Sequence, residues 1–153
     1  MTFEELFTID DIKTVSIMQK NINDDVISSL LSVVKAIEFL PIFQEGFWSD
    51  FLSRWTNGTQ TTTDIQLKHL MLQYITSCIE YRAVTTLSYQ LRANGIVSMN
   101  AENAVKVTDS ERISLLNQIN SDKEFYKSQM LKFIQDNYYT HTNARAYKNF
   151  DIL

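Results

Sequence analysis

"TDIQLKHLMLQYITSCIEYRAVTTLSYQLRANG", residues 63–95, contains no proline and reaches its only glycine at the last position. Thr63 and Gln66 have the spacing of a capping box, in which hydroxyl and side-chain amide satisfy free N–H groups at a helix start. Leu67, Leu70, Met71, Tyr74, Ile75 and Cys78 then recur with the 3.6-residue period of one helical face, and the stripe changes face near Arg82. Gly95 suits the left-handed residue that ends a helix. About 31 residues rising 1.5 Å each make a rod of roughly 45 Å. A helix of this length in a chain of 153 residues decides the fold class. The expectation is a mainly α protein, a long-helix bundle, and the scarcity of breakers (three Gly and one Pro) agrees with it.

Downstream, "IVSM" and "AVKV" flank "NAEN". Two short β-prone runs around an Asn-rich turn predict a small β-hairpin at about 96–107. An isolated two-stranded hairpin is marginal in water, so support is expected either from its own helices or from another subunit. Val97, Met99, Val105 and Val107 are its candidate partner-binding residues. Thr108 and Glu111 form a second capping-box pattern, and a second long helix is expected to run to about Asn137. Its apolar face comprises Ile113, Leu116, Ile119, Tyr126, Met130, Phe133 and Ile134, interrupted by Asn120 and Lys123. Residues 139–153 lack a helical period and form an extended C-terminal arm. Tyr147, Phe150, Ile152 and Leu153 are its apolar anchors, expected to cross to a neighbouring subunit or to another protein.

Upstream, "TNGTQTTT" reads as a polar loop with Gly58 in a left-handed position. "FQEGFWSDFLSRW" places Phe47, Trp48, Phe51, Leu52 and Trp55 on one helical face. Before it, a helix is expected from about Asp25 to Phe39, with Ile27, Leu30, Leu31, Val34 and Ile37 in period. Pro41 stops or re-aims it. A short first helix is expected over residues 10–19, capped by Asp10 or Asp11. The division is thus a helical domain over residues 1–138 and an arm over residues 139–153.

The formal net charge of −4 argues against a protein whose main task is neutralising nucleic-acid phosphates. The single cysteine, Cys78, forms no internal disulfide and points to a reducing compartment, the cytoplasm. No apolar run reaches the ~18 residues of a membrane span. His69 and His141 lie far apart and in no ligand pattern, so neither metal nor cofactor is expected. Cys78 sits on an apolar stripe with no base near it in sequence and reads as a buried structural thiol. Asp10-Asp11 and Asp24-Asp25 each stand before a helix and read as caps rather than catalytic pairs. The aromatic residues at 47–55 read as core. No constellation for enzymatic chemistry emerges.

Three stretches, "NDDVISSLLSVVKAIEFLPIFQEGFWSDF", "IQLKHLMLQYITSCIEYRAVTTLSYQLRANGI" and the hairpin followed by "TDSERISLLNQINSDKEFYKSQMLKFIQDN", resemble head–tail connector (adaptor) proteins of tailed bacteriophages. The likeness is nearest to versions from Bacteroidetes phages, including the crAss-like group, where the subunits are called ring proteins. It lies in the order and pattern of elements and covers most of residues 22–137. It implies a structural virion protein of the neck region, assembled in the bacterial host cytoplasm. Such subunits form a homo-oligomeric ring, typically a dodecamer, below the portal protein. The ring joins the portal to the next ring or to neighbouring neck and tail proteins, and lines a conduit for genomic DNA without sequence-specific binding. A mildly acidic subunit suits that conduit. The alternative from the residues alone is a small helical regulatory or nucleic-acid-binding module, for which Lys68, Arg82 and Arg92 are thinly spread.

Overall fold

The computed structural model describes residues 1–16, 23–43, 45–93 and 109–138. They are mainly helical, with no β-strand among them. The expected hairpin at 96–107, the Thr108–Glu111 box, the Asn94-Gly95 stop and the arm at 139–153 lie outside the described residues.

The chain opens with two short helices, α1 (Phe3–Leu6) and α2 (Ile9–Val15). Each begins with a capping box. The Thr2 hydroxyl accepts from the Glu5 N–H at 3.2 Å, and the Glu5 carboxylate accepts from the Thr2 N–H at 2.6 Å. Thr8 and Asp11 repeat the exchange at 3.1 and 3.4 Å. The expected single helix over 10–19 capped by an aspartate is therefore corrected. Thr8 is the cap, and Asp10 and Asp11 occupy the first turn, where their charge meets the positive end of the helix dipole. In α3 (Asp24–Val34) the cap is Asn23, whose side-chain oxygen accepts from the Asp25 N–H at 2.8 Å; Asp24 and Asp25 again fill the first turn.

The helix does not continue regularly to Phe39. Lys35–Phe39 is a single π-turn, closed by the Leu40 N–H on the Lys35 carbonyl, and Leu40–Ile42 is a 3₁₀ turn containing Pro41. The cause is legible in the packing. A regular α-helix would place residue 38, four beyond the buried Val34, in the core, and that residue is a glutamate. Widening the turn by one residue brings Phe39 inward instead, fully buried, and sends Ile37 outward at 62% exposed. Pro41 offers no N–H to the helix, and the Glu38 carbonyl accepts from the Tyr74 hydroxyl at 3.4 Å.

Phe39 is the centre of an aromatic cluster. Its ring lies 4.8 Å from Phe43, 5.3 Å from Phe3, 5.3 Å from Trp48 and 5.9 Å from Phe7. This joins α1 to α4 (Glu45–Thr56), the helix of Phe47, Trp48 and Phe51. The aromatic residues at 47–55 are core or packed against it, as their spacing predicts. Gly58 turns the chain with φ +66°, and the Thr59 N–H closes the end of α4 on the Arg54 carbonyl at 2.9 Å.

The long helix α5 (Thr62–Ala93) then starts from Thr61, not Thr63. The Thr61 hydroxyl accepts from the Asp64 N–H at 3.2 Å, and the Asp64 carboxylate accepts from the Thr61 N–H at 2.8 Å. From Met71 to Glu80 every residue except Gln73 is buried. The expected stripe of Leu67, Met71, Tyr74, Ile75 and Cys78 is buried, and more of the helix is enclosed with it: this is a central helix with neighbours on most sides, and Thr76, Ser77 and Glu80 are enclosed with the apolar residues. Antiparallel to it runs α6 (Asp109–Tyr138). Tyr138 meets Asp64 near one end of the pair, and the Lys123 ammonium lies 5.0 Å over the Tyr81 ring farther along.

Candidate functional site

The eight residues that sequence patterning selects as partner-binding, Val97, Met99, Val105 and Val107 in the hairpin region and Tyr147, Phe150, Ile152 and Leu153 in the arm, lie outside the described residues. What the structure does define is the frame from which both segments leave. Residues 94–108 join the adjacent ends of α5 and α6, and residues 139–153 follow Tyr138 directly. Two ionic clusters hold that frame.

The first centres on Asp64, which is 1% exposed. Arg54 donates from Nε to both carboxylate oxygens at 3.1 Å and from a terminal nitrogen at 2.8 Å. Tyr138 donates its hydroxyl at 2.8 Å, and Thr61 donates both its N–H and its hydroxyl. Burial raises the carboxyl's pKa, but the bonds from Arg54, Thr61 and Tyr138 outweigh it and hold Asp64 at about 2. The same burial and the Asp64 charge push the Tyr138 phenol far above its usual range. The Arg54 guanidinium also lies 5.7 Å from the Phe51 and Tyr138 ring centres, and Tyr138 packs edge-on against Phe47 at 5.4 Å. One carboxylate thus ties the end of α4, the start of α5 and the end of α6.

The second cluster centres on Glu38 in the π-turn. Arg82 of α5 donates to one carboxylate oxygen at 2.5 Å, and the Lys123 ammonium of α6 lies 3.8 Å from the other. Lys123 thus interrupts the apolar inner face of α6, as expected, with a charge that pairs across it. Beside this cluster Cys78 is fully buried, and burial, followed by the Glu38 charge, raises its thiol well above the ordinary range. It is a structural thiol in its surroundings.

Beyond these clusters the helical pair continues past the core. The core cluster draws on α5 from Leu67 to Ile79 and on α6 at Met130 and Ile134. Ala83 and Ile119 are buried farther out. Past them, Ile113 is 59% and Leu115 43% exposed, while Phe125 stands outward at 58%. The placing of Ile113 on the inner face of α6 is corrected: Ile119, Met130 and Ile134 form that face, and Leu116, Tyr126 and Phe133 are half-buried. Two helices packed alone cover only the strip between them, so apolar residues flanking the strip face solvent. Sequence patterning left out Leu115 and Phe125: Phe125 lies off the period that Ile119, Met130 and Ile134 set, whereas Leu115, four residues before Ile119, shares that face and is exposed beyond the end of the core.

Among the described residues no group of three His, Cys, Asp or Glu could hold a metal ion, and no helix is long and apolar enough to cross a membrane. His69 is exposed on α5. The described residues form grooves at two places of note. One of about 310 Å³ lies among α1, α2 and α3, and one of about 240 Å³ lies between the π-turn and α6. Neither brings together a nucleophile and a base.

No curated protein and no solved structure matches the chain. Residues 41–151, from Pro41 through α4, α5 and α6 into the arm, match the model of a family of unknown function, DUF6712, and the chain belongs to that family.

Proposed function

We propose that the chain is a structural subunit of a tailed-bacteriophage particle, a head–tail connector that forms a ring below the portal and joins it to the next ring or to the tail around the DNA conduit. The observation that carries this reading is the α5–α6 pair. It is fixed to the body by the Asp64 and Glu38 clusters and continues past the core with Ile113 and Leu115 exposed. At its two ends it presents the segments that contain Val97, Met99, Val105 and Val107 and Tyr147, Phe150, Ile152 and Leu153. A scaffold of this kind orients contact segments and asks no side chain to do chemistry. The order of elements supports the same reading through its resemblance to connector proteins. Partners are then further copies of the chain, in a ring of twelve by that resemblance, together with the portal and neighbouring neck proteins, and the site is the virion neck.

A regulatory or nucleic-acid-binding role would call for free cations clustered on one helix. Of the candidates on α5, Lys68 faces Asp11 at 3.8 Å and Arg82 pairs with Glu38. The test is sedimentation and electron microscopy of the purified chain with and without the portal protein encoded in the same genome. Annular particles bound to the portal are expected. A compact monomer that associates with neither itself nor the portal would overturn the connector reading.

A further inference from the structure

The groove among α1, α2 and α3 has an apolar floor and an acidic rim. Phe7 and Leu31 form the floor, and Glu4, Asp10 and Asp24 stand around it. The surrounding surface carries six carboxylates, Glu4, Glu5, Asp10, Asp11, Asp24 and Asp25, against three lysines paired with them: Lys13 with Asp24, Lys35 with Glu4 and Lys68 with Asp11. At about 310 Å³ the groove is at the small end of ligand-sized cavities, suited to a side chain or two rather than a cofactor.

The chain itself contains a complementary sequence. In "ARAYKNF", residues 144–150, Arg145 and Lys148 flank the aromatic Tyr147. The imbalance extends over the whole chain. Residues 1–56 hold nine Asp and Glu and four Lys and Arg, whereas residues 57–153 hold nine and ten. Two different surfaces of opposite sign on one chain make a heterologous, head-to-tail contact between copies, the type that closes into rings.

We propose that the groove among α1, α2 and α3 receives the arm of a second copy, with Tyr147 on the Phe7–Leu31 floor and Arg145 and Lys148 against Glu4, Asp10 and Asp24. This rests on the ring reading and names the receiving surface within it.

The experiment uses two full-length variants, one with Ser28→Cys at the groove and one with Ala146→Cys beside Tyr147 in the arm, mixed and treated with a short bismaleimide. Asp10→Cys provides a second groove position, and circular dichroism verifies that each variant is folded. A cross-linked dimer from the mixture is expected. Arg145→Glu with Lys148→Glu should lower its yield about tenfold, the loss of two screened ion pairs. Half-molar salt should lower it as well. No cross-link at either groove position, or one indifferent to both charge reversal and salt, would overturn the proposal. So would a Ser28→Cys/Ala146→Cys chain that cross-links only within itself. Portal binding without the cross-link would defeat the groove assignment and leave the connector reading standing; the cross-link without portal binding would do the reverse.

Discussion

Asp64 is the residue on which most of the frame depends, and its charge makes that dependence measurable. Its folded-state pKa of about 2 lies below the ordinary 3.8, so its contribution is fully present above about pH 4 and is lost as pH falls through 2. At neutral pH the shift corresponds to about 2 kcal/mol. Asp64→Asn should lower the urea-unfolding free energy by at least that amount at pH 7, and the gap to the native chain should narrow between pH 4 and pH 2. An unchanged gap would show that the charge is not what binds Arg54 and Tyr138. Cys78 offers a second reading at this scale. Buried and with a raised pKa, it should resist a thiol reagent in the folded protein at pH 8 and react fully in denaturant. Rapid labelling of the folded protein would contradict its enclosure. The role of Cys78 was legible in sequence because its neighbours on the stripe are apolar. That of Asp64 was not. Three successive threonines, 61–63, offer equivalent caps, and the partners that select Thr61 and Asp64, namely Arg54 and Tyr138, lie in other elements.

Among the elements, the π-turn at Lys35–Phe39 has the clearest energetic reason, since it exchanges a buried glutamate for a buried phenylalanine. Truncating Phe39 leaves a cavity at the point where α1, α4 and the turn meet. Phe39→Ala should therefore cost about 3–5 kcal/mol in urea unfolding. A cost below 1 kcal/mol would mean that the aromatic cluster can close around the gap. The periodicity of Ile27, Leu31 and Val34 gave α3 its place in the sequence reading, but a fixed 3.6-residue period cannot register an inserted residue. The resulting error placed Ile37 inside. At the start of the chain α1 was not read, and α2 was expected at 10–19 with an aspartate cap, for a different reason. The spacings Thr2–Glu5 and Thr8–Asp11 are capping signals, yet the helices they open are too short to display a period. By contrast α4, α5 and α6 are long enough for periodicity to reveal their existence; the start of α5 and part of the face of α6 needed revision.

For the molecule as a whole, the mainly helical class followed from the scarcity of Gly and Pro, whereas a contact surface between copies leaves no period in a single chain. Val105 tests whether the segment joining α5 and α6 belongs to the subunit or to its assembly. Val105→Asp should leave the helical circular dichroism intact and abolish ring formation in sedimentation. Loss of helicity in the monomer would assign the segment to the subunit's own core. The Tyr138–Asp64 bond has a further consequence, which is one of reach. With Tyr138 pinned, nine residues lead from a fixed root to Tyr147 in sequence. Fully extended they span at most about 30 Å. Under the docking proposed above, the receiving groove on a neighbouring copy opens within that radius of this copy's Tyr138, and the curvature of the proposed ring is bounded by that reach.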